Sequence, residues 1–380
     1  MKRYATEQLR NVGLIAHGGA GKTSLTEAML YNAKVINRLG KIEEGTTTSD
    51  YDSEEVKRQI SINSAIAPCP WKNHRINVID TPGYFDFVGE VKGSLRVSDG
   101  AVLVVCAVSG VEVGTEQVWD YANDHELPRI IFVNKIDREN ANFFKVLEEL
   151  REKYGNNVVP FQLPIGSEEN FKGIVDLVNL KAQYFEGTDL KEGEIPEDLK
   201  SEMDNYRSYI IEAAAETDDE LLMKYLEGEE LSPEEVREGL RIGVLNGDIT
   251  PVLVGSATEN KGVQLLMDNI INYMPSPKDV PPAEGLNPET KEKEIRNVGE
   301  DEPLSAIVFK TMADPYVGKL TLFRIYSGKL KSDTTVYNPN KDQTERIAQV
   351  YLVTGKKQEP VDVAYAGDLV AVARLQHTTT

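Results

Sequence analysis

A glycine-rich segment between a strand-like run and a helix-like run constrains the fold of this 380-residue chain more than any other feature. Val12–Ala16 is a short apolar run typical of a buried strand, and Lys22–Asn32 has apolar residues at helical spacing. Gly18, Gly19 and Gly21 lie between them. Backbone N–H groups curl around phosphate oxygens where no Cβ atoms obstruct them, and a helix N-terminus adds partial positive charge. The segment therefore predicts a phosphate-binding loop, with a plain turn as the alternative interpretation.

Further apolar runs alternate with helix-like segments, which predicts a mostly parallel sheet with helices on both faces. Phe143–Tyr154 has helical spacing and is followed by a glycine, a common helix stop. The remaining predicted elements of this kind are the strands Ile76–Ile79, Ala101–Val108, Ile130–Val133 and Pro251–Val254 and the helix Gly262–Met274.

The acidic residues are concentrated in one region. The chain has 42 Lys and Arg against 62 Asp and Glu, and residues 165–250 contain 23 acidic and 8 basic residues. Lys200–Leu226 and Pro233–Leu245 look helical within that region, so we interpret it as an inserted α-rich subdomain. Its charge is either a solvated helical face or a surface for a partner. The net charge of −20 opposes non-specific binding to DNA and to anionic membranes.

A proline cluster marks the next boundary. Five prolines lie between residues 275 and 288, which predicts an extended linker over 276–302 because a helix cannot continue through them. We expect a nucleotide-binding domain at 1–275 and an antiparallel β-barrel at 303–380, which stops directly after a strand and therefore looks truncated. The predicted strands are Leu304–Lys310, Lys319–Tyr326, Thr334–Tyr337, Arg346–Val353 and Asp368–Arg374.

Two side chains of the phosphate loop and one motif after the strand Ile76–Ile79 predict phosphate and magnesium chemistry. Lys22 would reach the β and γ phosphates, and the Thr23 hydroxyl would bind Mg²⁺. Asp80 stands at a strand end, where it would hold a magnesium-bound water, and the Gly83 amide would bind a γ-phosphate. A plain β-turn is the alternative for this second motif.

Two further motifs predict selection of guanine. Asn134-Lys135-Ile136-Asp137 follows a predicted strand, and the Asp137 carboxylate would accept hydrogen bonds from guanine N1–H and its 2-amino group. Adenine would leave that carboxylate unpaired. Backbone N–H groups at Ser256 and Ala257 would reach guanine O6. The motif at 134–137 alone could be a solvated loop, and the one at 255–257 alone is a weak signal. All four motifs in order, each at a strand end, select a guanine-nucleotide domain.

The sequence gives little support for a disulfide-rich, zinc-binding or membrane-spanning protein. Cys69 and Cys106 are far apart in apolar contexts, which indicates a reducing compartment rather than a disulfide framework. The four histidines have no metal-ligand spacing, and the longest apolar run is too short to span a bilayer. We expect a cytoplasmic monomer that binds neither DNA nor membranes.

The motif set resembles that of the translational GTPases, most closely elongation factor G and its bacterial paralogues. The resemblance implies a P-loop GTPase domain followed by domain II, with GTP or GDP and Mg²⁺ as cofactors. It also implies the ribosome as partner, with domain II contacting ribosomal RNA and the acidic insert contacting stalk protein. The similar segments are Asn11–Thr23, Arg75–Phe87, Pro128–Arg138, Ala213–Leu231, Val254–Leu265, Asp301–Tyr326 and Ala364–Thr380.

The resemblance also assigns roles to residues. Arg38–Ile62 matches the family's first switch, in which Ser61 would give Mg²⁺ a second hydroxyl, although Ser61 could instead begin a strand. The implied metal ligands are Thr23, Ser61 and, through water, Asp80. The implied catalytic residues are Lys22, Gly83 and Tyr84. The implied nucleotide-binding residues are His17, Gly18, Gly19, Ala20, Gly21, Lys22, Thr23, Ser24, Asn134, Lys135, Asp137, Ser256 and Ala257.

The sequence departs from the family pattern at the catalytic end. Tyr84 stands where the family has a water-positioning histidine, and a phenol with a reference pKa of ~10 can orient water but is a poor base near neutrality. We expect slow hydrolysis with intact GTP binding. Gly18 and Gly19 replace an apolar residue and an aspartate, which removes a carboxylate from any accessory monovalent-cation site. Gln59 replaces a glycine and Ser61 a threonine in the first switch.

Three functions are compatible with these features. The first is a GTP-hydrolysing translation factor whose switches at 38–62 and 80–95 order around Mg²⁺·GTP and act on the ribosome. The second is a GTP-loaded, ribosome-associated binding module with little or no hydrolysis, which the Tyr84 replacement favours. The third is a GTP-coupled metabolic enzyme. It has little support, because no second substrate site can be read from the sequence.

Overall fold

The structure, a computed structural model, describes residues 3–314 and 317–380. Strands and helices alternate over the first 160 residues. The strands are β1 (Leu9–Ile15), β2 (Ala65–Trp71), β3 (His74–Asp80), β4 (Gly100–Cys106), β5 (Arg129–Asn134) and β6 (Val158–Pro160). The helices are α1 (Lys22–Asn32), α2 (Ser53–Arg58), α3 (Val88–Leu95), α4 (Val113–Asp124) and α5 (Phe143–Tyr154).

The acidic insert contains a sheet followed by three helices. It begins with an antiparallel sheet of β7 (Gln162–Ile165), β8 (Gly173–Asp176), β9 (Lys181–Glu186) and β10 (Asp189–Gly193). It continues with the helices α6 (Lys200–Ala215), α7 (Asp219–Leu226) and α8 (Pro233–Asn246). The chain then returns to the first domain through β11 (Thr250–Val254) and α9 (Val263–Tyr273).

Parallel pairing of buried strands places the site loops at one edge of the main sheet. The strand order is β2-β3-β1-β4-β5-β11-β6, and only the β2–β3 pair is antiparallel among these described strands. Every residue of β1, β4, β5 and β11 is buried, as expected for a parallel sheet covered on both faces. The loops that follow β1, β3, β5 and β11 therefore lie side by side at the carboxyl edge.

The remaining strands form antiparallel sheets. A hairpin of β12 (Ala283–Leu286) and β13 (Lys293–Arg296) lies within the segment that the prolines predicted to be an extended linker. The strands after it are β14 (Ser305–Asp314), β15 (Gly318–Ser327), β16 (Lys329–Lys331), β17 (Thr334–Asn338), β18 (Gln343–Ile347), β19 (Val350–Thr354), β20 (Lys357–Val361), β21 (Val363–Tyr365) and β22 (Leu369–Ala373). The prediction of a P-loop-type α/β domain with inserted helices, followed by an antiparallel β domain, is confirmed.

Two of the predicted secondary-structure elements are each divided into two in the structure. Arg346–Val353 was expected to be one strand, but the chain turns at Gln349, whose side-chain amide donates to backbone oxygens of Val350 (3.0 Å) and Val361 (2.9 Å). Two separate strands, β18 and β19, result. Lys200–Leu226 was expected to be one helical stretch, but Asp218 caps a new helix by accepting N–H groups at its start, so α6 and α7 are distinct.

The β domain packs on the α/β domain through apolar residues and buried ion pairs. Arg324 on β15 contacts Asp99 at 2.5 Å, and both side chains are at most 3% exposed. Lys310 on β14 contacts Glu90 on α3 at 2.6 Å. The shared apolar cluster contains Ile66, Ile79 and Val97 from the first domain and Phe309, Leu320, Leu322, Val353, Leu369 and Ala371 from the second. No helix in the described residues is long and apolar enough to cross a bilayer.

We expect Arg324→Ala to lower the free energy of unfolding by about 3 kcal/mol or more, because it leaves the buried Asp99 carboxylate without its cation. The matched control is Arg346→Ala. Arg346 pairs with Asp333 at 3.3 Å with both side chains 74% exposed, so its loss should cost under ~1 kcal/mol. Urea denaturation followed by circular dichroism measures both values. Equal losses for the two variants would contradict the prediction.

Candidate nucleotide-binding site

The predicted phosphate loop joins β1 to α1 and is shaped by glycines with left-handed backbones. Gly19 has a φ of 80° and Gly21 a φ of 103°. A Cβ atom at Gly21 would lie 2.4 Å from Nδ2 of Asn134. Glycine is therefore required at Gly21 both by the backbone conformation and by the close approach of the loop that follows β5.

Lys22 lies where the phosphate loop meets the segment after β3. Its ammonium donates to the carbonyl oxygen of Ala16 at 3.3 Å, and burial lowers the pKa of Lys22 to about 8 although nearby Asp80 opposes the shift. A Cβ atom at Gly83 would lie 2.6 Å from Lys22 Nζ and 2.8 Å from Gly18 Cα. The fold thus brings two of the three predicted catalytic residues, Lys22 and Gly83, into contact distance of each other.

Hydroxyl and carboxyl groups gather at the start of α1. Thr23 Oγ1 lies 3.0 Å from Ser61 Oγ, and Ser49 Oγ donates to Asp80 Oδ2 at 2.7 Å. Asp80 Oδ1 and Asp50 Oδ1 are buried and have no hydrogen-bond partner within residues 3–314 and 317–380. Burial, reinforced by Asp80, raises the pKa of Asp50 to about 7.

This oxygen cluster fits Mg²⁺. Hard cations of this kind prefer hydroxyl, carboxylate and water oxygens, and two carboxylate oxygens here are buried without a donor. Across the described residues, no group of three or more His, Cys, Asp or Glu side chains is arranged to hold a metal. The site would therefore depend on the hydroxyls of Thr23 and Ser61 as well as on Asp80 and Asp50. Sequence reasoning selected the first three of these residues and missed Asp50.

Ser61 lies in the loop before β2, which begins at Ala65. The alternative that Ser61 starts a strand is therefore wrong. The buried Glu55 carboxylate accepts the backbone N–H groups of Ile62 (3.0 Å) and Asn63 (2.8 Å). In a strand, these N–H groups would have paired with a neighbouring strand.

A second buried glutamate, which the sequence did not single out, holds the other end of the segment at 38–62. Glu27 on α1 accepts the N–H groups of Gly40 (3.1 Å) and Thr48. Glu55 also accepts the N–H of Asp52 at 3.0 Å. Backbone N–H groups along this segment are therefore satisfied by two carboxylates that are each 1% exposed.

The loop after β5 is fastened to both neighbouring loops. The Asn134 side chain donates to the Ala20 carbonyl and accepts the Ala257 N–H, each at 2.9 Å. Lys135 Nζ donates to the Gly19 carbonyl at 2.6 Å. Asn134, Lys135 and Ala257 are thus brought to the phosphate loop, as a shared nucleotide site requires.

Asp137 lies at the same edge of the sheet with an unsatisfied oxygen. Its Oδ1 is buried and has no hydrogen-bond partner in the described part of the chain, while its Oδ2 lies 3.7 Å from Nε of Arg138. The nearby Ser256 N–H already donates to the Lys261 carbonyl at 2.9 Å. A carboxylate held in this way is a ready acceptor for donors on a ligand.

Two predicted binding residues are placed less centrally. The His17 ring faces the start of α4, with Nε2 3.5 Å from Oε1 of Glu112, and a Cβ atom at Gly114 would lie 2.5 Å from its Nδ1. His17 therefore contributes its backbone, rather than its side chain, to the loop. Ser24 stands in the first turn of α1 and is partly exposed.

Comparisons with known proteins agree with this arrangement. The family model of the elongation factor Tu GTP binding domain matches residues 7–276, and that of elongation factor G domain 2 matches residues 303–380. This chain belongs to the translational GTPases of the elongation factor G family. A crystal structure of a protein from Thermus thermophilus is similar with a TM-score of 0.85 and 34% identity, over 97% of this chain and 52% of that one. The chain thus spans about half the length of that protein.

Two of the positions at which this translational GTPase departs from the family pattern, Gly18 and Tyr84, meet in space. A Cβ atom at Gly18 would lie 3.4 Å from Cζ and 3.5 Å from Cε1 of the Tyr84 ring. The phenol therefore packs over the bare backbone of Gly18, where the family carries an apolar side chain. Tyr84 remains 46% exposed, so one side of its ring faces solvent.

We expect Asp50→Asn to stabilise the nucleotide-free and Mg²⁺-free translational GTPase at pH 8 by on the order of 1–3 kcal/mol, and much less at pH 4.5. Burial in the folded chain disfavours the charged carboxylate and raises the pKa of Asp50 to about 7. In the unfolded chain the same carboxylate ionises near pH ~4. The penalty therefore develops as the pH rises through this window and is complete above pH ~7.

Thermal unfolding at the two pH values measures the effect. The exposed Asp86 provides the matched control, because Asp86→Asn removes the same charge without removing a buried one. An equal change in midpoint at pH 4.5 and pH 8, or a lower midpoint at pH 8, would contradict the assignment of Asp50 as a strained carboxylate.

Proposed function

We propose that this chain binds GTP and GDP together with Mg²⁺ and hydrolyses GTP as a translation factor. The observation that carries the proposal is the buried, unpaired oxygen of Asp137, which Asn134 and Lys135 hold at a fixed place relative to the phosphate loop. Guanine presents an N1–H and a 2-amino group to such a carboxylate. Adenine presents an acceptor at N1 and no 2-amino group, so it would leave the carboxylate buried and unpaired.

The remaining predicted residues would complete the nucleotide site. Backbone N–H groups of 17–24 and the Lys22 ammonium would hold the phosphates, in keeping with the left-handed glycines of the loop. Ser256 and Ala257 are proposed to face guanine O6. Both of their N–H groups already donate within the protein, so Ala257 would have to share or exchange its acceptor, Asn134 Oδ1.

Thr23 and Ser61 would hold Mg²⁺ directly and Asp80 through water, with Asp50 beside them. Bound there, the ion would neutralise negative charge on the phosphates. The Gly83 N–H and Lys22 would stabilise charge on the γ-phosphate, because their backbone and ammonium groups already lie against the loop. The Tyr84 hydroxyl would orient water without acting as a base, so hydrolysis would be slow until a partner improves the alignment.

The ribosome is the proposed partner, in the cytoplasm and with a monomeric factor. The match of residues 303–380 to elongation factor G domain 2 supports contact of that region with ribosomal RNA. A groove of about 760 Å³ at α7 and α8 supports contact of the insert at about 165–250 with a basic face of ribosomal stalk protein. Its lining combines apolar Met223 and Ile242 with acidic Asp219, Glu227 and Glu238. Residues 1–275 and 303–380 would then act as two domains around the linker 276–302.

A second candidate is a GTP-loaded binding module for the ribosome with little hydrolysis. The packing of Tyr84 on Gly18 favours it, because the phenol covers the backbone next to Gly83 at the position where the family has a histidine. Both candidates require guanine-nucleotide binding and differ only in turnover.

Competition binding with a fluorescent GTP analogue tests the shared part of the proposal. We expect GTP to compete at least about a hundredfold better than ATP in the presence of Mg²⁺, because the site pairs with donors that adenine lacks. Equal competition by ATP would overturn the proposal. Single-turnover hydrolysis with and without purified ribosomes then separates the candidates, since a flat response to ribosomes would favour the binding module.

Tyr84→His should raise ribosome-stimulated hydrolysis about tenfold and leave GTP affinity within about twofold, because imidazole can accept a proton near neutral pH. Tyr84→Phe is the companion variant. It keeps the ring on Gly18 and removes the hydroxyl, so a rate below that of the wild type would assign water orientation to the hydroxyl. No rise with Tyr84→His would show that this position does not limit the rate.

A further inference from the structure

The acidic insert begins with a tight turn that contacts the loop carrying Asp137. This turn, residues 166–172, joins β7 to β8 and contains a single 3-10 turn, Glu168–Asn170. The Glu168 backbone N–H donates to the Ile136 carbonyl at 2.8 Å. The Glu168 carboxylate accepts the Asn140 N–H at 2.7 Å. One residue of the insert therefore holds the loop after β5 on both sides of Asp137.

The same turn also reaches the loop after β11. The Phe171 carbonyl accepts a hydrogen bond from Lys261 Nζ at 3.2 Å, and Lys261 is paired with Ser256 through backbone hydrogen bonds. Phe171 itself is 1% exposed and packs edge-on against Phe185 of β9 with ring centres 5.1 Å apart. The turn is thus anchored in the core of the insert and contacts both loops that would enclose a base.

Four residues in the loops after β5, β7 and β11 have strained backbone conformations. Lys135 (φ 66°), Asn140 (φ 64°), Glu168 (φ 54°) and Asn260 (φ 53°) all adopt the left-handed region without being glycine. Each such residue costs free energy that surrounding contacts must offset. The two hydrogen bonds of Glu168 are contacts of this kind, because one joins Glu168 directly to Asn140 and the other joins Glu168 to Ile136, the neighbour of Lys135.

We propose that Glu168 is a positioning residue for guanine recognition: it fixes the loop at 134–140 so that the Asp137 carboxylate meets the base at the correct place. This inference rests on the proposed guanine-nucleotide site and goes beyond it, because it assigns part of base selectivity to the inserted subdomain. A partner that moves the insert would, by the same contacts, change nucleotide affinity.

Binding of GDP and of inosine diphosphate to the full chain with Mg²⁺ tests the proposal. Inosine diphosphate lacks the 2-amino group and keeps N1–H, so the affinity ratio of the two nucleotides reports how well Asp137 engages guanine. We expect Glu168→Ala to weaken GDP binding about tenfold and to lower the ratio about threefold, because the loop loses a hydrogen bond to a charged acceptor. Glu168→Gln keeps an oxygen acceptor and should recover most of the ratio.

Glu169 provides the matched control, since it is the adjacent acid on the same turn and is exposed. Glu169→Ala should leave both affinities within about twofold of the wild type. An equal loss of GDP and inosine diphosphate affinity in Glu168→Ala, or no loss of either, would overturn the positioning role. A merely destabilised fold would weaken both nucleotides alike and would not move the ratio.

Amide hydrogen exchange without nucleotide separates this proposal from the proposed function. Glu168→Ala should speed exchange in a peptide covering residues 137–143, where the Asn140 N–H loses its acceptor, and Glu169→Ala should not. Unchanged exchange would overturn the contact itself. If the wild-type chain bound GDP and ADP equally, the proposed function would fail while faster exchange would still establish that Glu168 holds the loop.

Discussion

The buried side chain of Asn134 is the interaction on which the candidate site depends. Its nitrogen donates to the phosphate loop at Ala20 and its oxygen accepts the Ala257 N–H, so one amide fixes the separation of three loops. Gly21 is the counterpart of this contact, because any side chain there would occupy the position of the amide nitrogen. The parallel order of β1, β4, β5 and β11 makes the arrangement feasible, since it places those loops on the same edge of the sheet. An aspartate at 134 would lose the donor and leave a buried carbonyl unpaired.

The β domain contacts both segments that are proposed to order around the nucleotide. Lys310 Nζ donates to the Ser64 carbonyl at 2.9 Å and to Glu90 at 2.6 Å, and Glu90 in turn accepts the Ser64 N–H at 2.8 Å. Ser64 closely follows the segment at 38–62, and Glu90 lies on the helix that follows Tyr84. Burial lowers the pKa of Lys310, while Glu90 opposes the shift. Movement of either segment would therefore alter the surroundings of a buried charge in the neighbouring domain.

The sequence predicted the parts of the molecule that follow from local pattern. The bounds of α1 and α5 agreed with their periodicity, and α5 ends at the predicted glycine stop. Asp50, Glu27 and Glu168 were not predicted, because each looks like any other surface acid until the fold buries it or places it opposite a backbone N–H. The strands β7–β10 were not predicted, because β7 and β8 are buried but very short, and β9 and β10 are partly or largely exposed and carry several charged residues. The contact of Tyr84 with Gly18 joins residues 66 positions apart, beyond the reach of any local pattern.

The ion pair of Arg324 with Asp99 has a consequence for synthesis of the chain. The first domain is translated before β15. Until β15 is made, the Asp99 carboxylate lacks its partner Arg324, and the apolar side chains of Ile66 and Val97 lack the β-domain residues that cover them. During that interval the surface is available to chaperones and to wrong partners, as is typical of multidomain chains. Final burial comes when the second domain emerges and closes over it. The time taken to translate the chain from the end of α9 to Arg324 therefore sets how long this surface of the first domain stays uncovered.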